Sequence, residues 1–318
     1  MTYYPVIIPT LNRYEHFKNC VESLSNNLYA NETELVVGLD YPPSEKYIDG
    51  WKKIKDYIPS IKGFKTVTIF EREHNYGSSE NSLSLREYAL SKYDAYIYSE
   101  DDNVFSPCFL DYINSGLKKY KADERVFAIC GYSYPMDWGV ETDCVFQYQY
   151  FSAWGYGCWK NRIEKISNDF ANSFFLNCIN GKLINLTMAK KSPVNFSNVM
   201  GYSFSSKIPL QDITYSFYMF LTNNFVLMPT KTLVSNYGFD GSGEHKLNKY
   251  DVDFSNKNRN NTDIVDVLNV KEVFSNKLEE LVLVTIPFFS VQRAVLKYFF
   301  IKIFGKKYRE LIRIIKKK

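Results

Sequence analysis

Short apolar runs recur about every thirty residues through the first hundred positions of this chain, and each run ends in a polar cluster. The runs are Tyr4-Pro5-Val6-Ile7-Ile8, Leu35-Val36-Val37-Gly38-Leu39, Thr66-Val67-Thr68-Ile69-Phe70 and Ala95-Tyr96-Ile97-Tyr98. Between them apolar residues fall at three- and four-residue steps, as in Phe17, Cys20, Val21, Leu24 and Leu28, which is the period of a half-buried helix. The stretch through Trp51, Ile54 and Ile58 and the one from Leu83 to Leu90 read as helices for the same reason. Strands alternating with helices at this spacing are wired as right-handed βαβ units. The expectation is an α/β fold with a mostly parallel central sheet and flanking helices.

Ligands of such sheets gather at the carboxyl ends of the strands. The segments there are Pro9-Thr10-Leu11-Asn12-Arg13, Asp40-Tyr41-Pro42, Arg72 through Ser78, and Glu100-Asp101-Asp102. All are polar, and they are expected to meet in one crevice. In the last segment three adjacent carboxylates repel one another. A divalent cation held between them and a diphosphate would relieve that repulsion, and hard oxygen donors suit Mg²⁺ or Mn²⁺. The plainer reading is a solvated acidic turn. Thr10-Leu11-Asn12 offers N-cap oxygens to the first helix. Asp40 suits a base N–H or a ribose hydroxyl, or a cap on its own turn. Arg72 suits a phosphate or a surface ion pair, and Gly77 permits close backbone approach.

Past the acidic run, Ser106-Pro107 predicts an N-cap and first residue of a helix reaching about Tyr120. Val126–Cys130, Val145–Tyr150 and Phe225–Pro229 read as strands, and Asn168–Cys178 and Ile213–Leu221 as helices. Phe151 to Arg162 is rich in glycine and aromatic residues, so Trp154 and Trp159 stand as a sugar platform or as core. Asn236 to Lys246 is glycine-rich and loop-like, and 248–261 is polar.

Charge narrows the partners. The chain carries 39 Lys and Arg against 35 Asp and Glu, net +4. Ten of those cations and only one acidic residue lie in Thr285–Lys318, so the remainder is net negative and a nucleic-acid-binding core is not indicated. The tail interleaves Phe288, Phe289, Leu296, Phe299, Phe300 and Phe304 with Arg293, Lys297, Lys302 and Lys306. Such a helix can lie in an anionic membrane interface, or dock on the domain or on a second subunit. The six cysteines form no Cys-x-x-Cys pair and there are only three histidines, which argues against a thiolate zinc site. With no signal-like start and no apolar run of membrane-spanning length, a cytosolic chain with reduced thiols is expected.

Taken in order, these stretches resemble known proteins. Val6-Ile7-Ile8-Pro9-Thr10-Leu11-Asn12-Arg13 resembles the first strand and nucleotide-binding loop of GT-A type nucleotide-sugar glycosyltransferases of the broad inverting family 2, and Glu100-Asp101-Asp102 is similar to that family's Asp-x-Asp motif. Ser152-Ala153-Trp154-Gly155-Tyr156-Gly157-Cys158-Trp159-Lys160-Asn161-Arg162 and Val234 through His245 resemble a bacterial branch that builds surface polysaccharides. The resemblance covers roughly residues 4–246. It departs at Asn75, in Asn-Tyr-Gly-Ser-Ser-Glu-Asn, where many relatives carry Ala-Arg-Asn, and at Gln211, where an aromatic is usual before the base.

The resemblance implies a GT-A, Rossmann-like domain with a C-terminal amphipathic helical tail. Residues 1–105 would form the nucleotide-sugar half, 106–247 the acceptor half, 248–284 a polar connector and helix, and 285–318 the basic tail. It implies a metal-dependent inverting transferase using Mn²⁺ or Mg²⁺. The donor would be a nucleoside-diphosphate sugar, UDP by analogy, and the acceptor a glycan or polyprenyl-linked molecule. Location would be cytoplasmic and peripheral at the inner face of the membrane; an oligomer is compatible. Asp102 and His245 would hold metal. Pro9, Thr10, Asn12, Arg13, Asp40, Arg72, Asn75, Gly77, Glu100 and Asp101 would bind donor. Trp154, Gly155 and Tyr156 would meet acceptor, and Asp212 would be the catalytic base. The competing reading is a non-catalytic sugar-binding or scaffold protein on a degenerate GT-A fold. A nucleotidyltransferase would need a glycine-rich phosphate loop where Pro9-Thr10-Leu11-Asn12-Arg13 stands.

Overall fold

A computed structural model describes residues 2–134, 144–166, 211–242, 259, 270–271, 303–304 and 307. The chain divides into two compact units: Met1–Ile163 with Asn223–Glu272, and Glu164–Thr222 with Val273–Lys318.

The first unit is built on a nine-stranded sheet. Its strands are β1 (Val6–Thr10), β2 (Glu34–Leu39), β3 (Thr66–Glu71), β4 (Ala95–Tyr98), β6 (Val126–Cys130), β7 (Val145–Tyr148), β8 (Tyr156–Trp159), β9 (Phe225–Pro229) and β11 (Val270–Lys271), in the order β11-β7-β9-β6-β8-β4-β1-β2-β3. A separate two-stranded ribbon pairs β5 (Asn103–Phe105) with β10 (Val234–Asn236). The pairings β1–β2, β1–β4, β2–β3 and β6–β9 are parallel. Strand β8 lies antiparallel to both β4 and β6, so β1 to β4, β6 and β9 all point the same way. The expected α/β architecture with a mostly parallel central sheet and flanking helices is therefore present.

The apolar runs form the strands because both sheet faces are covered. Val6, Ile7, Ile8, Leu35, Val36, Val37 and Ile97 are fully buried. Helix α1 (Tyr14–Ser25) buries Phe17, Cys20, Val21 and Leu24, the stripe its periodicity predicts. Leu28 falls beyond the helix end and is 50% exposed, so it is no part of that stripe. Helix α2 (Ile48–Tyr57) buries Ile54, and Ile58 opens a separate 3₁₀ turn. Helix α3 (Gly77–Lys92) starts six residues before Leu83. Its buried face begins with a polar residue, Asn81, whose Nδ2 donates to Gly38 O at 2.8 Å. Helix α4 (Phe109–Lys119) starts later than Ser106-Pro107 predicts: Cys108 occupies the N-cap position, and Ser106 Oγ makes no capping hydrogen bond.

Helix α5 (Lys160–Glu164) follows β8. Its Arg162 is buried and gives Nε and Nη2 to the carbonyls of Val126, Lys121 and Asp123, closing the connection between α4 and β6. Of the second unit, helix α6 (Gln211–Thr222) is the main described element. The helix expected at Asn168–Cys178 and the basic tail, apart from 303–304 and 307, lie outside the described residues. Among the described residues no helix is long and apolar enough to cross a membrane.

Candidate active site

The strand ends of the parallel half converge. Asp40 N–H donates to Thr10 O at 2.9 Å, Arg72 N–H to Leu39 O at 2.9 Å and Ser99 N–H to Ile7 O at 3.1 Å. The acidic run fills the tight turn from β4 into β5. Ser99 is fully buried and its hydroxyl donates to Glu100 O at 2.7 Å, while Asn103 N–H returns to Glu100 O at 3.4 Å. Cys20 Sγ lies 3.6 Å from Ser99 Oγ and from Glu100 O, so α1 supplies the floor of the turn.

This turn aims Asp101 and Asp102 inward, each 6% exposed. Thr10 Oγ1 donates to Asp101 Oδ2 at 2.9 Å. The Arg13 guanidinium bridges both carboxylates: Nη2 meets Asp101 Oδ1, and Nη1 meets Asp102 Oδ2 at 2.7 Å. Burial would lower the proton affinity of Arg13, but the two carboxylates beside it raise it further, so it stays charged. Burial raises the Asp101 carboxyl, Arg13 pulls it back and Asp102 raises it again; the net direction is upward. One cation against two buried carboxylates leaves the cluster with excess negative charge.

The far wall is supplied by a segment more than a hundred residues away. Pairing of Asn236 with Asn103 across the β5–β10 ribbon sets Asn236 against the acidic turn. Asn236 is buried, and its Nδ2 donates to Asp102 Oδ1 at 2.6 Å and to Asn103 Oδ1 at 3.1 Å. Its Oδ1 accepts Gly238 N–H at 2.9 Å, and Tyr237 N–H donates to Asp102 O at 2.8 Å. At Gly238 a Cβ would overlap Asp102 Oδ2 and lie 3.2 Å from Arg13 Nη1, so only glycine lets this loop pass. Asp240 then reaches α1, with Oδ2 2.9 Å from His16 Nε2, and Ser242 Oγ donates to Asp240 Oδ1 at 2.6 Å. Those hydrogen bonds and His16 hold the Asp240 carboxyl down at about 2. Ser242 Oγ is also 3.3 Å from His16 Nε2. Serine, histidine and aspartate meet here, but both contacts fall on one imidazole nitrogen. A nucleophile triad needs the two nitrogens to serve different partners, so the cluster is a latch between loop and helix.

Asp40 forms a second acidic centre, 4% exposed. Its Oδ1 accepts the N–H groups of Tyr41 and Tyr76, both at 2.8 Å, and its Oδ2 accepts Gly77 N–H at 2.9 Å and Asn75 Nδ2 at 3.2 Å. Asn75 also donates to Tyr41 O at 2.7 Å. Gly77, at φ 74°, turns the chain into α3. Helix α3 has no side-chain cap from its own segment, and Asp40 takes the N–H groups at its start, where a negative charge also favours the helix dipole. Arg72 is tied into the same helix: Nε donates to Asn81 Oδ1 at 3.0 Å, Nη2 to Ser84 Oγ, and the guanidinium lies 4.7 Å from the Tyr76 ring centre.

The remaining sequence candidates differ in their surroundings. Pro9 and Asn12 are half-buried beside Thr10, and the backbone of Asn12 packs against Gly50 of α2. Glu100 is half-buried in the acidic turn. Trp154 is half-buried, edge-on to Tyr132 at 4.7 Å and to Phe239 of the 237–242 loop at 5.6 Å. Gly155 is buried against Phe105 and Val234. Tyr156 is fully buried, its hydroxyl 3.0 Å from that of Tyr96. That places it in the core with no open face for an acceptor, because β8 runs through the middle of the sheet. Trp159 is core too, with Nε1 donating to Leu117 O at 3.1 Å.

Asp212 stands in the first turn of α6, half-buried, and desolvation pushes its carboxyl up to about 7. His245 lies outside the described residues. Among those residues no cluster of three or more His, Cys, Asp or Glu side chains forms a ready cation cage. Residues that sequence reasoning missed are Asn236, Gly238, Asp240 and His16. The signal for the first three was the quoted run from Val234 to His245; His16 on an otherwise ordinary helix gave none.

No protein-family profile matches the chain, and no curated protein sequence does. Solved structures similar to part of it include a mannosyltransferase from Pyrobaculum calidifontis in complex with GDP-mannose and Mn²⁺, 16% identical, with 52% of this chain and 46% of that one covered and a TM-score of 0.36. Residues 1–349 of S. aureus TarS are 16% identical, with 53% and 49% covered and a TM-score of 0.36. A second TarS structure is 16% identical, with 42% and 23% covered and a TM-score of 0.30. The chain thus spans less than half the length of each.

Proposed function

We propose that the protein is a metal-dependent inverting glycosyltransferase that moves a sugar from a nucleoside-diphosphate donor to a glycan or lipid-linked acceptor. The observation that carries the reading is the meeting of the strand-end loops of β1 and β4 with the 236–238 segment around a buried carboxylate pair. Crevices at such strand ends are where α/β sheets take nucleotides. The donor set fits a hard divalent cation, since it is oxygen-rich, buried and carries excess negative charge. Asp102, with His245 seven residues past Gly238 in the sequence, would hold Mn²⁺ or Mg²⁺, which when bound offsets the charge of a leaving diphosphate.

The chain's own residues carry the rest. Arg13 offers a planar fork suited to a phosphate, and Thr10 and Asn12 frame it. Asp212 accepts the acceptor hydroxyl's proton as the new bond to the anomeric carbon forms and the bond to diphosphate breaks. A carboxyl raised to about 7 is poised for that transfer near neutrality. Trp154 offers an aromatic face to a sugar. The tail of 285–318 would hold the enzyme at an anionic membrane surface on the cytoplasmic side, near a polyprenyl-linked acceptor.

The test is a thermal-shift screen of UDP- and GDP-sugars with and without Mn²⁺, followed by transfer assays on the stabilising donor. Metal-dependent stabilisation and transfer that disappears in Asp102→Ala are expected. Donor binding without transfer or hydrolysis across a broad acceptor panel would favour the sugar-binding or scaffold reading instead.

A further inference from the structure

Every oxygen of the Asp101–Asp102 pair already has a protein donor. Thr10 and Asn236 hold the outer oxygens, and the Arg13 guanidinium spans the two inner ones. Thr10 and Asn236 are 5% and 3% exposed and fixed in the ends of β1 and β10. The Arg13 side chain is 20% exposed. It stands at the start of α1 with glycine, and no side chain, at position 238 next to its Nη1. Of the three donors, Arg13 alone has both a path to solvent and a long flexible stem.

We propose that Arg13 competes with the divalent cation for Asp101 and Asp102, so that cation binding is coupled to a nucleoside diphosphate whose phosphates draw the guanidinium away. The proposal rests on the transferase reading above and adds to it a role for one residue. A divalent cation entering beside the bridged pair would face a fixed positive charge at contact distance, with two carboxylates to balance three charges. A diphosphate supplies what is missing on both counts. It brings negative charge for the cation, and it matches the guanidinium fork as well as a carboxylate does. Once the fork is on phosphate, Asp102 Oδ2 is released. Binding of cation and diphosphate is then mutually favourable, and linkage makes the coupling equal in both directions. Arg13 is a positioning residue in this scheme: it acts on the carboxylates rather than on the reacting sugar.

The test is Mn²⁺ binding to the full chain, followed by calorimetry and by the electron paramagnetic resonance of free Mn²⁺, alone and with UDP or GDP. The wild-type protein is expected to bind Mn²⁺ weakly alone and far more tightly with one nucleoside diphosphate. An adjacent arginine weakens a carboxylate's hold on a proton by about one to three pK units. By the same electrostatics Arg13→Gln is expected to bind Mn²⁺ alone about tenfold or more tighter than wild type, and to gain less from the nucleotide. Arg13→Lys keeps the charge but cannot span both carboxylates, so its affinity for Mn²⁺ alone should fall between the two; it also serves if the glutamine variant does not fold. If either folded variant binds Mn²⁺ alone no better than wild type while the nucleotide still promotes binding, Arg13 has no such role and the transferase reading stands. If wild type binds no Mn²⁺ even with nucleoside diphosphates, the transferase reading fails and this proposal with it.

Discussion

Removing Asn236 tests whether the 236–242 loop is held by the acidic turn. Its side chain makes three hydrogen bonds: to the Asp102 carboxylate at 2.6 Å, to Asn103 Oδ1 at 3.1 Å and from Gly238 N–H at 2.9 Å. A bond to a charged group contributes about 1.5–3 kcal/mol and a neutral one about 1 kcal/mol. The loop beyond Gly238 is partly exposed, so water can reach some of the groups left behind and offset part of the loss. Asn236→Ala is therefore expected to cost about 3 kcal/mol, read by urea denaturation at pH 7. Asn236→Asp has nearly the same shape but removes the donor and sets a negative charge against Asp102. It should cost more than alanine at pH 7 by roughly 1–3 kcal/mol. The new carboxylate, buried beside Asp102, would have a raised folded-state pKa. The extra destabilisation is then full above that pKa and fades as pH falls through it. A cost for Asn236→Ala under about 1 kcal/mol, or an Asn236→Asp penalty that does not change with pH, refutes the reasoning.

Other substitutions probe separate parts. Gly238→Ala forces a Cβ into Asp102 Oδ2 and should lower stability by about 1–3 kcal/mol, seen in thermal denaturation. Tyr156→Phe removes the partner of the Tyr96 hydroxyl in the core; a loss of about 1–2 kcal/mol with unchanged acceptor KM is expected from denaturation and kinetics together. In the proposed role of base Asp212 works as its carboxylate, and burial pushes that carboxyl up to about 7, so the transfer rate is expected to fall tenfold per pH unit below about 7. Asp212→Asn should lower the transfer rate by about a hundredfold or more and leave a residual rate without that acid limb, read from a pH–rate profile.

The sheet was legible where burial is symmetric. Strands β1, β2 and β4 are covered on both faces, so their sequences are unbroken apolar runs, and the polar residues after them mark where they end. The start of α3 was not legible because its buried face opens with Asn81, which spans Gly38 O and the Arg72 side chain; a polar residue in that role erases the apolar period. Strands β5 and β10 are three residues each, Asn-Val-Phe and Val-Ser-Asn, too short to show a period, and only their pairing with one another makes them strands. That pairing, across more than a hundred residues, is what carries Asn236 and Gly238 to Asp102. The glycines on either side of Tyr156 make room on the sheet for other side chains: a Cβ at Gly157 would meet Ile113 and Leu117 of α4, and one at Gly155 would meet Phe105 and Val234. The contacts of the acidic cluster with Thr10 and Arg13 were readable because the paired strands β1 and β4 end beside one another, whereas those with Asn236 and Gly238 depended on a pairing with no local signature.

The two acidic centres, alike in sequence as strand-end aspartates, differ in what holds them. Asp40 is held chiefly by backbone N–H groups from two loops and the start of α3. Those donors cannot leave without undoing the loops, so through them Asp40 helps to build the crevice. Asp101 and Asp102 are held by side chains, of which only Arg13 reaches solvent. A side-chain partner can rotate away while the backbone stays in place. At Asp40 the one exchangeable side-chain donor is Asn75, which holds a single oxygen, whereas turning Arg13 away would free an oxygen on each of two carboxylates at once. On the proposed function, the acidic turn is therefore the centre at which ligand exchange is to be sought first, beside a crevice wall that the Asp40 contacts help to build.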